Sequence, residues 1–316
     1  MSKTILNYHP DMDARLAELL NTGWAPLREL PVLHAARNNW PIVTDEVLAQ
    51  WRDQGRLSQA GTFVAEDDDG ALLAVFSASP GAGEQGTLHF FCVIPDCAES
   101  DCGPATLAAA EDYLRNCGMK AVVTEQIDSR SRERNDFLRA HGYYDPDPEN
   151  QSMTMLLGPQ GRRLREVVVP PGGYRLVTWR DEYLRDWLRL RNTIFDGEVT
   201  AQGFLDSFRS RDHFDPAAWF FMRHHDNFVG ITNAVVLREP DGSVRGGYFT
   251  GVGVLPEHRG RKLGEALVTA ALNYLVERDI RPIALNTEPF RKPAIGLYEK
   301  LGFEFAAFNY RYRKDL

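Results

Sequence analysis

No stretch of the 316 residues approaches the roughly 18 apolar side chains that a membrane-crossing helix requires, so no membrane partner is expected. The amino terminus, MSKTILNYHPDMD, lacks an apolar run followed by small residues, which gives no sign of secretion and makes the cytoplasm the expected address. Excess positive charge is missing as well. Lys and Arg number 36 against 44 Asp and Glu, a net charge of −8, so a broad basic face for nucleic acid is not expected. Cysteine is scarce and one-sided: Cys92, Cys97, Cys102 and Cys117 all lie in the first half, and none forms the C-x-x-C pair of zinc sites. Free buried thiols in a reducing compartment are the expectation, with no metal. What is present is an ordinary globular composition, 43% hydrophobic and 25% charged, in a chain long enough for two domains of roughly 150 residues.

Sliding the sequence against itself produces an internal repeat. Val93 to Glu125 lies without a gap on Val254 to Asn286, pairing Pro95 with Pro256, Gly103 with Gly264, Ala105 with Ala266 and Ala109 with Ala270. Tyr113 and Leu114 meet Tyr274 and Leu275 in the same frame. Each copy reads as a helical opening, a hairpin, a strand ending at proline, a long helix, a short strand, a second helix and a last strand, which is an α/β pattern.

In the second copy Tyr183, Trp187, Leu190 and Ile194 recur at helical spacing, and Phe204 with Phe208 marks a following helix. Trp219 to Met222 and Phe228 to Leu237 read as strands around the turn His224 to Asn227, whose histidines are expected to be exposed. Glu239 to Gly242 reads as a further turn before the strand Val244 to Leu255. The segment 159–173, rich in Arg, Pro and Gly, separates a first domain, 1–158, from a second, 174–316; the alternative within it is a short strand at Val167 to Val169 paired in a sheet.

The segment GVGVLPEHRGRKLGEALV, Gly251 to Val268, joins a strand to a helix through a cationic loop. A helix starting near Gly260 to Gly264 offers unpaired N–H groups and a partial positive charge to an anion, with Arg259, Arg261 and Lys262 adding charge-assisted hydrogen bonds. This segment resembles motif A of the GNAT superfamily of N-acyltransferases: Arg or Gln, two residues, Gly, one residue, then Gly or Ala. Arg259, Lys262 and Gly264 occupy the matching positions, so lysine replaces the first glycine. If that position needs a positive φ, lysine there weakens the cofactor site. The segment PAIGLYEKLGFE, Pro293 to Glu304, resembles the family's C-terminal motif of helix, tyrosine, turn and strand.

The resemblance implies two tandem domains with mixed sheets, and acetyl-CoA or a short acyl-CoA as cofactor. It implies that Arg259, Gly260, Arg261, Lys262, Leu263 and Gly264 hold the pyrophosphate. It further implies that backbone N–H groups around Val252 and Val254 bind the pantetheine arm in a gap between strands and polarise the thioester carbonyl, and that Tyr298 serves the departing sulfur. Asn286 is a polar contact to cofactor or acceptor, and Arg291 stands where the family usually has asparagine. The reaction implied is direct transfer to a primary amine of a small molecule or protein. Such an amine must lose a proton first, and either Glu198 or Glu288 is a base within reach of that role. A non-catalytic sensor of acyl-CoA is the alternative.

At the positions equivalent to Arg259, Arg261, Lys262 and Tyr298 the first half has Ala98, Ser100, Asp101 and Leu138. Asp96, Glu99 and Asp101 would oppose an anion, so the first half is expected to be a degenerate copy.

Overall fold

The computed structural model describes residues 3–29, 41–98, 100–149, 151–209, 214–238 and 242–316. The expected turn at 239–241 and Glu99 lie outside the described residues. The chain forms two compact units: Met1–Ser152 together with Ala307–Leu316, and Met153–Ala306.

In the first unit β1 (Thr4–Asn7), β2 (Thr62–Glu66), β3 (Leu72–Ser79), β4 (Gln85–Val93) and β5 (Ala121–Thr124) follow one another across a sheet, antiparallel except where β5 runs parallel to β4. Side chains alternate along each strand, which divides the core between the two faces. Val75 and Phe90 pack with Leu16, Leu20, Leu48 and Trp51 of α1 (Asp13–Gly23) and α3 (Asp45–Asp53), with the short α2 (Ala25–Glu29) after α1. Phe76 and Phe91 pack on the other face with α5 (Cys102–Asn116) and α6 (Arg132–Ala140), through Leu107, Leu114, Phe137 and Leu138; the one-turn α4 (Pro95–Ala98) precedes α5.

The second unit places β7 (Ser152–Leu157), β8 (Tyr174–Thr178), β9 (Trp219–His224), β10 (Asn227–Arg238), β11 (Val244–Val254) and β12 (Ile283–Thr287) in the order β7, β12, β11, β10, β9, β8, and β13 (Phe303–Tyr310) lies on the other side of β7. The helix α9 (Leu263–Glu277), built from Ala, Leu and Val, packs on one face: a Cβ at Gly230 of β10 would lie 3.1 Å from Leu267. α7 (Leu184–Phe195) packs on the other, where a Cβ at Gly253 would collide with Ile194 at 2.4 Å. Asp196, left-handed at φ 49, ends α7, and Thr200 caps the short α8 (Ala201–Phe204) by accepting from the Gly203 N–H.

Pairing registers repeat with the sequence. Gly86 and Thr87 face Val122 and Val123 as Gly247 and Tyr248 face Ile283 and Ala284, the same 161-residue step that carries Gly103 to Gly264.

Three expectations need correction. The segment drawn as the end of the first domain, Met153 to Leu157, belongs to the second unit, where β7 pairs with β12 at Leu285↔Met155. The last ten residues belong to the first unit, where β14 (Arg313–Asp315) pairs with β5 and β6 (Ile127–Asp128) pairs with Asn309 and Tyr310. Each copy's last strand thus completes the sheet of the other, because the edge of β5 or β12 accepts any strand of suitable pattern. Val167 to Val169 forms no strand. The cysteines also differ. Cys97 and Cys102 are joined in a disulfide, Cys117 is exposed, and only Cys92 is a buried thiol, its pKa pushed up to about 12 by burial.

Candidate active site

β11 and β12 are paired at only two positions, Gly247↔Ile283 and Tyr248↔Ala284. Beyond them the strands part. The cause lies partly in β11: its register on β10 slips between Ile231 and Asn233, so β11 carries an extra residue, and Gly251 there takes φ 64, which few side chains tolerate. A cavity of about 690 Å³ opens between the strand ends, large enough for a cofactor arm and a small substrate. Val252, Val254, Asn286, Glu288, Arg291 and Tyr298 all line it.

The cationic loop closes one side. After a 3₁₀ turn at Pro256–His258 the backbone becomes left-handed at Gly260, φ 75, and again at Lys262, φ 59, before α9 begins at Leu263. Arg259, Gly260, Lys262, Leu263 and Gly264 line the cavity. Arg261 does not; its guanidinium turns back to donate to the Glu257 carbonyl at 2.8 Å. Arg259 likewise donates through Nε to the Val254 carbonyl at 3.0 Å, so it ties the loop to β11. A Cβ at Gly260 or Gly264 would meet nothing within 4 Å, so the space before the first turn of α9 suits a bulky anion. Lys262 therefore does need the positive φ that glycine adopts freely, a strain of roughly 1–2 kcal/mol for a side-chain-bearing residue.

Tyr298 is 6% exposed and sits beneath Phe249 and Phe303. Burial pushes its pKa up to about 12; the nearby Arg291 opposes this and Glu288 adds to it. The phenol holds its proton throughout the neutral range. Asn286 accepts from Thr154 at 3.3 Å, while its buried amide nitrogen has no hydrogen-bond partner among the described residues.

The two carboxylates differ in placement. Glu288 lines the cavity and is ion-paired with Arg291. Glu198 is exposed in the loop after α7 and is outside the cavity lining, because Asn192 holds that loop through both the N–H and the carbonyl of Val199. His224 is not a free turn residue: it stacks on Tyr174 at 4.4 Å and packs 5.1 Å from His258. His258 lines the cavity, and its pKa is lowered by burial and then by His224.

Sequence reasoning missed Trp187, Arg191, Phe195 and Phe208, which also line the cavity, and Asn233 of β10. Asn233 carries a readable signal: a lone amide inside the largely apolar run FVGITNAVVL.

The equivalent place in the first unit is filled. The disulfide joins Cys97 to Cys102, the counterparts of His258 and Leu263, and a Cβ at Gly103 would lie 2.9 Å from Val93 and from the Cys97 carbonyl. Arg134, buried and pushed down to about 9 by that burial, lies 4.2 Å over the Phe91 ring, at the positions of Ala294 and Val252.

Residues 176–303 match the family model described as Acetyltransferase (GNAT) family. Among curated proteins, a mycothiol acetyltransferase of Thermomonospora curvata is 33% identical over 162 residues, 49% of this chain and 52% of that protein. One from Thermobispora bispora is 33% identical over 152 residues, 46% and 51%. The chain spans about half the length of these curated relatives. Among solved structures, a tandem GNAT protein from the clavulanic acid biosynthesis pathway superposes with a TM-score of 0.71 at 17% identity, covering 99% of this chain and 98% of that one. A GCN5-related N-acetyltransferase from Sphaerobacter thermophilus does so with 0.69 at 18% identity, covering 99% and 95%. These likenesses support the tandem fold, and residues 176–303 carry the match to the acetyltransferase (GNAT) family.

Proposed function

We propose that the second unit transfers an acetyl group from acetyl-CoA directly to the amine of a small molecule, and that the first unit is a copy that binds no cofactor. The observation that carries this is the parting of β11 from β12 after Tyr248 and Ala284, with the loop 259–264 on one side and Tyr298 in the same cavity. The fit is supported by the open space before Gly260 and Gly264 and by the unpartnered amide nitrogen of Asn286. Bound acetyl-CoA would supply an activated thioester carbonyl.

The chain's own part is to bind, orient and handle one proton. The first turn of α9, with Arg259 and Lys262, would neutralise the pyrophosphate. Unpaired backbone N–H groups of β11 near Val252 and Val254 would hold the pantetheine arm and stabilise charge on the carbonyl oxygen. Tyr298, with its raised pKa, would donate a hydrogen bond to the departing sulfur. Glu288 lines the cavity but is held by Arg291, so the acceptor amine would enter largely deprotonated or lose its proton through water. The curated relatives are named mycothiol acetyltransferases, so a mycothiol-related acceptor is a first one to try.

The test is thiol release from acetyl-CoA across an amine panel, beside calorimetric binding of acetyl-CoA. Arg259→Ala should weaken that binding about tenfold to a hundredfold; unchanged affinity would remove the loop from the phosphate site. Binding without thiol release from any amine would favour the acyl-CoA sensor.

A further inference from the structure

Two polar groups in the cavity are left over once the cofactor's needs are met. Asn233 is 5% exposed, lines the cavity, and its amide nitrogen has no hydrogen-bond partner among the described residues. A buried amide without a partner is costly, and such groups are kept where a ligand supplies the missing contact. Arg191 also lines the cavity. Its half-buried guanidinium lies 4.5 Å over the Phe195 ring, and among the described residues it has no carboxylate partner. The two acids that line the same cavity are both taken, Glu265 by Lys300 and Glu288 by Arg291.

Strand alternation places both groups on one side of the cavity, away from the phosphate loop. Gly230 faces Leu267 of α9, so Ile231 and Asn233 lie on the opposite face of β10. Gly253 of β11 faces Ile194 and Phe195 of α7 on that opposite face. Arg191 and Asn233 therefore share the face covered by α7, whereas α9, whose first turn meets the pyrophosphate, covers the other. The walls on the α7 side are apolar and aromatic: Trp187, Phe195, Phe208 and Ile231.

Building on the acetyltransferase reading, we infer that the acceptor is a small amine bearing a carboxylate and an apolar body, with Arg191 and Asn233 binding the carboxylate. One planar guanidinium and one amide donor on the same side of the cavity match the two oxygens of a carboxylate. The aromatic walls enclose the apolar part, and the amine is left to approach the thioester.

The test compares matched amines with the full chain and acetyl-CoA: phenylalanine against phenylalanine amide, and leucine against leucine amide, read as thiol release. The acids should show kcat/KM about tenfold to a hundredfold higher than their amides. Converting the acid to its amide lowers the amine's pKa and frees more base, so without carboxylate recognition the amide would be the faster of each pair. Arg191→Gln should abolish the preference by raising the KM for the acids, with the KM for acetyl-CoA unchanged. The wild-type comparison stands even if that variant fails to fold. Thiol release from amines with no preference for the acid, or an Arg191→Gln effect on the KM for acetyl-CoA, overturns the inference while leaving the acetyltransferase reading intact. Failure of acetyl-CoA itself to bind, measured in parallel, overturns both.

Discussion

Lys262 holds a left-handed backbone, φ 59, at the position where the family signature has glycine, so one residue carries a backbone cost and a useful charge. Lys262→Gly should raise stability by up to about 1 kcal/mol through relief of that strain. The same change should weaken acetyl-CoA binding several-fold through loss of the ammonium group. Urea midpoints and calorimetric titration separate the two, and a variant that gains stability without losing affinity would show that the ammonium group lies off the phosphates. Tyr298 makes a different prediction. Tyr298→Phe should lower turnover about tenfold to a hundredfold while leaving acetyl-CoA affinity nearly unchanged, as expected for a donor used on the departing sulfur. Because burial raises the phenol's pKa to about 12, its loss of a proton begins above the ordinary tyrosine range. Activity should therefore climb with pH as the acceptor amine deprotonates, with no descending limb before pH 10; a fall centred near neutrality would assign the proton to another group. The sequence pointed to Lys262 and Tyr298 by position, yet the sign of φ and the depth of burial depend on neighbours far along the chain.

At the scale of elements, β11 decides whether there is a site at all. A regular strand would continue its pairing with β12 past Tyr248 and leave no room for a cofactor arm. Gly251 makes the departure possible, since its φ of 64 accompanies the extra residue opposite Ile231 and Asn233. Gly251→Val should cost about 1–2 kcal/mol or force the bulge to flatten. In either case acetyl-CoA binding should fall at least several-fold, and a variant with full affinity would separate the bulge from the opening. Element types were largely legible from hydrophobic period: the strands expected at Trp219 to Met222, Phe228 to Leu237 and Val244 to Leu255 are β9, β10 and β11 within two residues at each end. Val167 to Val169 misled because a short β-branched run has strand propensity whether or not an edge is there to receive it.

The whole molecule adds an exchange of strands. β14, at the end of the second copy, completes the first unit's sheet, and Tyr312, 1% exposed, is part of that unit's core. Removing residues 311–316 should therefore damage the half of the chain farther away in sequence. Amide exchange should accelerate in Ala121–Thr124, while β11 and β12 keep their protection; the opposite pattern would refute the exchanged pairing.

The sequence by itself determined the helix that begins after Arg259 to Lys262, the tyrosine-bearing helix at 292–300 and the loss of cationic groups from the first copy, because each is set by residues close together along the chain. Tertiary structure alone decided where β12 stops pairing with β11, which copy receives β7 and β14, that Cys97 meets Cys102, and that, among the described residues, Arg191 meets no carboxylate and the Asn233 amide nitrogen no acceptor. A strand edge, a thiol or a buried amide carries no address in its own residue type. Its partner, or the lack of one, is fixed only when all the other segments have taken their places.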